Sequence, residues 1–353
     1  MTEKIDIASM TKPELCDYFK SIGEPKFRAE QVFTWLSRGA SFSEMTNLSK
    51  ALREKLEANC LDTLPRVEQK LVSKLDGTIK YLFRLYDGAC IESVFMRYNH
   101  GNTLCISSQV GCRMGCKFCA STIGGRVRNL LPSELLGQVI AAEKDSGERI
   151  SNIVMMGIGE PLDNYDNVVK FLKLVNAEGG LNIGFRHISL STCGVVTGIL
   201  KLAEEEFPLT LSISLHAAND EKRSEIMPVN NKWKISELLS ACVAYYKKTG
   251  RRISFEYTLI SGKNDSTKDA EELGKLLKNA FRGTGAPIHV NLIRVNEVAE
   301  TGFKKGTEES VKLFAGKLSE FGIVATTRRR LGADVNAACG QLRRSSMQNK
   351  PED

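Results

Sequence analysis

The stretch Leu104-Cys105-Ile106-Ser107-Ser108-Gln109-Val110-Gly111-Cys112-Arg113-Met114-Gly115-Cys116-Lys117-Phe118-Cys119 carries the reading of this chain. A strand-like run near 104–108 is followed at once by three cysteines spaced four and three apart, and then by a helical segment. Three thiolates at that spacing can wrap a cubane iron–sulfur cluster, and Gly111 and Gly115 let the backbone turn closely around inorganic sulfur. No fourth cysteine lies nearby, so one iron stays open to an outside ligand, as in a reaction site rather than an electron relay. A closed zinc site needs a second pair of ligands that is missing locally, although Cys105, Cys193 or Cys339 could supply a distant fourth.

Downstream, strand-like runs near 104–108, 151–156, 186–191, 210–215, 253–259 and 287–293 alternate with helical segments near 133–144, 165–176, 195–205, 236–249, 268–280 and 307–320. The fold class this predicts is α/β: a parallel sheet closing part or all of a barrel, a partial (β/α)6 barrel, with ligands at the carboxyl ends of its strands. Gly322-Ile323-Val324-Ala325-Thr326 is available as a last strand. Upstream, from Lys70 to Met96, the period falls to two around Asp76-Gly77 and Asp87-Gly88, which predicts three antiparallel strands. The first sixty residues read as helices near 11–20, 27–38 and 47–58, interrupted at Gly23-Glu24-Pro25. Within Lys26–Leu36, the residues Phe27, Val32, Trp35 and Leu36 fall on one stripe with Arg28 and Arg38 facing outward, either as a core stripe or as an RNA-facing surface. The expected division is a helical accessory domain at 1–62, an antiparallel extension at 63–100, a barrel domain at 101–345 and a frayed polar tail at 346–353.

The 353 residues give room for one large domain or two ordinary ones, and 42% hydrophobic with 26% charged residues argues against a disordered or collagen-like chain. Lys+Arg 49 against Asp+Glu 42 leaves +7, which fits a polyanionic partner. No leader with basic, apolar and small-residue regions opens the sequence, and no apolar run approaches the ~18 residues of a membrane span. A cytoplasmic protein without membrane contact is expected, its ten cysteines reduced, so a cysteine cluster calls for metal or redox chemistry.

The Cys-x3-Cys-x2-Cys pattern with an aromatic residue before its last cysteine resembles the signature of radical S-adenosylmethionine (SAM) enzymes. The resemblance implies that Cys112, Cys116 and Cys119 hold a [4Fe-4S] cluster, that the methionine amine and carboxylate of SAM chelate the open iron, and that electron transfer yields a 5′-deoxyadenosyl radical. Met156-Gly157-Ile158-Gly159-Glu160-Pro161 matches the turn that meets the methionine amine in that family, which points to Gly159 and Glu160. Ser191, Ser214-Leu215-His216 and Asn291 stand at further predicted strand ends. Any one of these is ordinary at a strand end; together they predict a shared pocket.

The ordered set formed by the Phe27–Leu36 helix, CISSQVGC, MGIGEPL, RHISLSTCG, SISLHAAND, HVNLI and NAACGQL resembles the radical SAM adenine-C2 methyltransferases of 23S rRNA, some of which also modify the tRNA anticodon loop. That resemblance implies a relay. Cys339 is methylated by one SAM, a second SAM generates the radical that takes a hydrogen from that methyl, and the methylene adds to adenine carbon 2. Cys105 then attacks the Cys339 sulfur, leaving a disulfide that must be reduced each turnover. Both cysteines have small-residue flanks, which favours reactivity over packing. Glu92 matches the family proton acceptor by its offset from Cys105, and reads equally well as a surface carboxylate. An electron donor such as flavodoxin or ferredoxin and a monomeric state are also expected. Arg328, Arg329, Arg330, Arg343 and Arg344, together with Arg126 and Arg128 beside the cysteine loop, fit phosphate contacts or a solvated face.

Arg294 stands where the carbon-2 enzymes show proline, as in the adenine-C8 relatives, whereas Trp35, Pro161 and Val127-Arg128-Asn129-Leu130 look like the carbon-2 group. A zinc-stabilised RNA-binding module without catalysis and a radical enzyme for a small molecule are the alternatives of other classes.

Overall fold

The computed structural model describes residues 4–296, 302–335 and 342. Three helices open the chain, α1 (Lys12–Ser21), α2 (Phe27–Leu36) and α3 (Lys50–Asn59). The Ser49 hydroxyl caps α3 by accepting from the Leu52 amide, as a helix start requires. In α2 the buried residues are Ala29, Val32 and Phe33, spaced three and four apart, which leaves Phe27 off the stripe. Phe27 is therefore 54% exposed, contrary to the sequence reading, and the Arg28 guanidinium lies over its ring.

Strands β1 (Arg66–Val72), β2 (Ile79–Arg84) and β3 (Cys90–Met96) pair antiparallel, as expected. Gly77 and Gly88 take φ of +71° and +83° in the connections, the left-handed backbone for which the Asp-Gly pairs were read. The next strand, β4 (Thr103–Cys105), is shorter than predicted. The chain leaves the sheet after Cys105 and forms a separate two-stranded ribbon, β5 (Gln109–Gly111) with β6 (Arg126–Asn129), on either side of the cysteine loop.

Then follow α4 (Pro132–Ser146), β7 (Asn152–Met155), α5 (Tyr165–Asn176), β8 (Ile188–Thr192), α6 (Val196–Glu204), β9 (Thr210–Ser214), α7 (Asp220–Ile226), α8 (Ile235–Thr249), β10 (Ile253–Leu259), α9 (Thr267–Ala280), β11 (His289–Arg294), α10 (Glu308–Glu320) and β12 (Val324–Thr327). One ten-stranded sheet results, in the order β1-β2-β3-β4-β7-β8-β9-β10-β11-β12. From β4 to β12 every neighbouring pair is parallel, and among the described residues β12 does not pair with β1. This is the expected partial barrel, fused edge to edge with the antiparallel extension and completed by the last strand.

Strand register divides the sheet into two unlike faces. Leu104, Ile153, Met155, Leu190, Leu211, Ile213, Phe255, Tyr257, Val290 and Leu292 belong to the large buried core. The opposite face carries, in register from strand to strand, Glu92, Val94, Cys105, Val154, Ser189, Thr210, Ser212, Ser254, Glu256, His289, Asn291 and Thr326. Closed barrels of parallel strands fill their interior with branched apolar layers. Here that face is polar across five strands, and its side chains bond to one another: Ser189 to Ser212 at 3.1 Å, Ser254 to His289 at 3.0 Å, and the Asn291 amide to Glu256 at 2.7 Å.

Gly157, just past β7, lies against the chain leaving β4: a Cβ there would sit 2.6 Å from the Ile106 carbonyl oxygen and 2.8 Å from the Ser107 nitrogen. Gly157→Ala must force two backbones apart, at a cost of about 1–3 kcal/mol. Its thermal midpoint is expected several degrees below wild type by calorimetry; an unchanged midpoint contradicts the close approach.

Candidate active site

The cysteine loop is held at its neck and along its length. Gly111 pairs with Arg126, and the Cys112 amide donates to the Gly125 carbonyl at 3.0 Å. Gly111 has φ +78°, and a Cβ there would overlap the Gly125 oxygen, so the neck closes only with glycine. Asp163 gathers the loop: it pairs with Arg113, with Arg126 at 3.2 Å and with the Gln109 amide at 2.9 Å. The far side is fixed by the Lys117 amide on the Ile226 carbonyl at 2.9 Å.

Upstream, α4 sends Gln138 into the gap left where β4 ends. Its Oε1 accepts from the Ser107 amide and the Ser93 hydroxyl, both at 2.9 Å, and its Nε2 donates to the Ser107 carbonyl at 3.0 Å. Buried backbone that has left a ladder must find partners, and Gln138 supplies them.

Cys112 and Cys116 are buried and Cys119 is half-buried. Burial pushes the Cys112 thiol up to about 12 and the Cys116 thiol well above its ordinary range; Glu160 and Cys119 raise both further, and Cys112 also raises Cys116. Such a set ionises when a cationic centre takes the charges, and metal binding releases the thiol protons. Among the described residues, no group of three or more His, Cys, Asp or Glu side chains is gathered tightly enough for a single metal ion. Three thiols in one loop fit a polynuclear iron–sulfur cluster by the chemistry of the donors, and the buried Cys193 thiol, just past β8, lies within electrostatic reach of Cys112 and Cys116.

Around the loop, the strand ends are locked by two buried charges. The Glu160 carboxylate accepts from the Leu162 amide at 3.0 Å and the Cys193 amide at 2.7 Å, joining the ends of β7 and β8, and burial raises its pKa. Arg223 of α7 is fully buried. It donates to the carbonyls of Cys193 at 2.7 Å, Ser214 at 3.1 Å and Leu215 at 3.0 Å, and to the Asn230 amide oxygen at 3.0 Å, and burial lowers its pKa. Arg223 went unseen in the sequence, because an arginine in a helix as polar as Asp220–Ile226 reads as surface.

Of the residues singled out in the sequence, Gly159 (φ +111°) packs on Gln109 at the cysteine-loop neck. Ser191, Ser214 and Asn291 lie on the polar face; Ser214 and Asn291 flank Glu256 in register. The Leu215 and His216 amides donate to the Glu256 carbonyl at 3.1 and 3.3 Å. His216 sits at φ +58°, its Nδ1 accepts from the Thr258 amide at 2.9 Å, and Phe118 of the cysteine loop meets its ring edge-on at 4.9 Å. Glu256 was also missed: it is a buried carboxylate that accepts from Ser254 and Asn291, and burial raises its pKa. Alternation alone does not tell which strand face is polar and enclosed.

Glu92 and Cys105 share that face farther toward the antiparallel extension. Glu92 is no surface carboxylate; it is buried and 3.2 Å from the ammonium of equally buried Lys80. Cys105 has small sequence neighbours but apolar spatial ones: it clusters with Val94 and Met96, and Val154 and Leu331 pack against that cluster, because cross-strand partners rather than chain neighbours surround a strand residue. Arg126 and Arg128 are not open to phosphate: Arg126 pairs with Asp163, and Arg128 pairs with Asp87 and, through two nitrogens, with Glu134. Cys339, Arg343, Arg344 and the tail 346–353 lie outside the described residues. The nine described cysteines are free thiols, and among the described residues no helix is long and apolar enough to cross a membrane.

A polar-faced partial barrel with three loop thiols just beyond its first parallel strand defines a radical SAM protein, and residues 106–274 match the Radical SAM superfamily profile. Residues 5–61 match the profile described as the ribosomal RNA large subunit methyltransferase N-terminal domain. The probable dual-specificity RNA methyltransferase RlmN of Clostridium botulinum (strain Eklund 17B / Type B) is 55% identical over 341 residues, 96% of each chain. The protein of that name from Alkaliphilus oremlandii is 55% identical over 98% of this chain and all of its own. A crystal structure of a radical SAM methyltransferase from Sphaerobacter thermophilus superposes with a TM-score of 0.89 at 41% identity, over 96% of this chain and 98% of its own. This chain belongs to the RlmN family of radical SAM RNA methyltransferases, whose cofactors are a [4Fe-4S] cluster and SAM.

Burial depresses the His216 pKa from 6.5 to about 3, with the Arg223 charge adding to it. The folded state therefore requires neutral imidazole. The stability it confers is complete above pH 6.5 and is lost as pH falls toward 3, by up to about 1.4 kcal/mol per pH unit. His216→Asn, which tolerates left-handed backbone, is expected to flatten the wild-type fall in unfolding free energy between pH 6.5 and 4 in guanidinium titrations. Parallel pH curves contradict it.

Proposed function

We propose that this chain methylates carbon 2 of an adenine in 23S rRNA, and of an adenine in the tRNA anticodon loop, through a methyl carried on Cys339 and resolved by Cys105. The observation that carries the reading is the placement of Cys105: it lies on the polar face in line with Ser214 and Asn291, in a cluster with Val94 and Met96 against which Leu331, eight positions before Cys339, packs. The relatives named dual-specificity RNA methyltransferase support use of two RNA substrates.

Cys112, Cys116 and Cys119 would hold the [4Fe-4S] cluster, and Gly159, Glu160, Ser191, Ser214, Leu215, His216 and Asn291 would hold SAM. When bound, these cofactors supply the methyl group and the carbon-centred radical chemistry that a non-acidic adenine carbon requires. The Glu160 carboxylate, bonded to the Leu162 and Cys193 amides, would pair with the SAM ammonium, and Asn291, its amide donated to Glu256, would present its carbonyl oxygen. Glu92, paired with Lys80, would take the proton from adenine carbon 2, and the one electron that the adduct must also lose would return to the cluster. The Cys105 sulfur attacks the Cys339 sulfur; the sulfur–carbon bond breaks, its electron pair leaves with the carbon, and a proton completes the methyl. The Cys105–Cys339 disulfide then takes two electrons and two protons from a reductant before the next turnover.

Carbon 2 is favoured over carbon 8 by the position of Arg294. Register puts it on the face opposite Asn291, where it pairs with Glu308 at 3.3 Å, so this departure from the carbon-2 pattern does not address the polar face. The helical segment 1–62 acts as an accessory RNA-binding domain, 63–100 as the extension that carries Glu92, 101–345 as the catalytic barrel and 346–353 as a tail. Arg328, Arg329 and Arg330 meet phosphate. The enzyme works as a cytoplasmic monomer fed by a low-potential donor such as flavodoxin or ferredoxin. A loop adenine is the cheaper target, because a stacked base must first be extruded.

Cys112→Ala, Cys116→Ala and Cys119→Ala are each expected to abolish both iron loading and methylation; full activity in any of them defeats the ligand assignment. The reaction itself is tested by mapping methyladenosine made anaerobically on rRNA and tRNA by wild type, alongside Cys105→Ala. Expected are 2-methyladenosine in wild type and an RNA-crosslinked protein in the variant. An 8-methyl product overturns the position, and normal release by Cys105→Ala overturns the resolving role.

A further inference from the structure

One corner of the polar face closes on itself. On β10 the Glu256 carboxylate accepts from the Ser254 hydroxyl at 3.1 Å and from the Asn291 amide of β11 at 2.7 Å. Ser254 also meets His289 Nδ1 at 3.0 Å, His289 Nε2 meets the Thr326 hydroxyl of β12 at 3.0 Å, and Thr326 comes within 3.5 Å of the Asn291 carbonyl oxygen. Five side chains on three adjacent strands thus form a ring. Strand register builds it, setting Ser254 opposite His289, and Glu256 and Thr326 on either side of Asn291.

The ring admits one proton order. Burial raises the Glu256 pKa, while the Arg328 charge and the bonds from Asn291, Ser254 and Ser212 favour the carboxylate, which can only accept. The single Ser254 proton is spent on it, so Ser254 accepts from His289, and Nδ1 carries the imidazole proton. Burial, with the Arg252 charge adding to it, lowers the His289 pKa. The neutral imidazole then has a bare Nε2, which takes the single Thr326 proton at the shorter of the two Thr326 contacts. No proton of the ring is left for the Asn291 carbonyl oxygen. Asn291 is half-buried and Glu256 is 3% exposed, so a ligand on this face can meet Asn291 but not the carboxylate behind it.

We infer that Glu256 is a positioning residue: through this proton order it dedicates the Asn291 carbonyl oxygen to a ligand donor, so that the subsite selects an N–H or O–H group of SAM over an acceptor. The inference rests on the reading of Asn291 as a SAM contact. Glu256→Gln breaks the order by either of two routes. If the new NH2 group faces Ser254, it donates there; the Ser254 proton turns to Nδ1, the imidazole proton moves to Nε2, and the Thr326 proton turns to the Asn291 oxygen. If it faces Asn291, that amide flips and presents its nitrogen. Both routes remove the free acceptor.

Two measurements on cluster-loaded, unreduced protein test this. Nitrogen-15 NMR of histidine-labelled protein reads the His289 tautomer, assigned among the four histidines by His289→Gln. Calorimetry reads the affinity for S-adenosylhomocysteine. Wild type is expected to show the Nδ1–H tautomer. Glu256→Gln is expected to bind about three- to tenfold more weakly, the scale of one neutral hydrogen bond, at unchanged iron content. In an Asn291→Ala background the same substitution should make no further difference, which a general loosening of the strand would not allow. An Nε2–H tautomer in wild type overturns the proton order, whether or not any variant folds. Wild-type affinity in Glu256→Gln, or an undiminished further loss in the Asn291→Ala background, overturns the positioning role. Wild-type affinity in Asn291→Ala overturns the SAM contact itself, and an intact Nδ1–H signal in wild type tells that failure apart from failure of the ring.

Discussion

The structure depends on one constraint of the β-strand, that alternate residues face opposite sides of a sheet. Because the antiparallel extension and the parallel barrel form one continuous sheet, that parity carries unbroken from Glu92 through Cys105 to Ser191, Ser214 and Asn291. Residues nearly two hundred positions apart in sequence are thereby aimed at one side. The other parity is apolar and covered by helices, and its burial stabilises the scaffold. The cost falls on the polar face, where Ser254, Glu256, His289 and Asn291 must satisfy one another.

The second requirement is to hold irregular chain at the strand ends without a ladder. Gln138 replaces the ladder beside the segment leaving β4, Glu160 takes one amide past β7 and one past β8, and Arg223 takes carbonyls at the ends of β8 and β9. Buried charges are costly unless fully bonded. Here each is bonded to backbone whose own partners would otherwise be missing, so the charges and the loops satisfy each other. The same low-dielectric surroundings suppress ionisation of the cysteine thiols, which leaves their charge to be set by what binds them.

Much of this was legible in the sequence. The strand-helix alternation, the Asp-Gly turns and the spacing of Cys112, Cys116 and Cys119 reflect local rules, and local rules survive folding. Three kinds of feature were not legible. Arg223 and Gln138 sit in helices, and their burial comes from what the helices pack against, which no periodicity reports. Cys105 was judged by its sequence flanks, but its neighbours are set by strand pairing. Arg126 and Arg128 read as open cations because Asp163, Asp87 and Glu134 come to them through the tertiary fold. The bonds from Ser73 and Lys74 to Asp334 join segments about 260 positions apart and have no local signature.

We propose that the polar face, rather than the helix-covered one or the outer surface, is the chamber in which SAM would meet the Cys105 and Cys339 sulfurs. Anaerobic crystallography of the cluster-loaded chain with SAM tests it most directly. The account predicts the ligand against Ser191, Ser214 and Asn291, with the Cys105 sulfur on the same side of the sheet. A ligand seated away from those three residues, or Cys105 walled off from it by the sheet, would contradict the account.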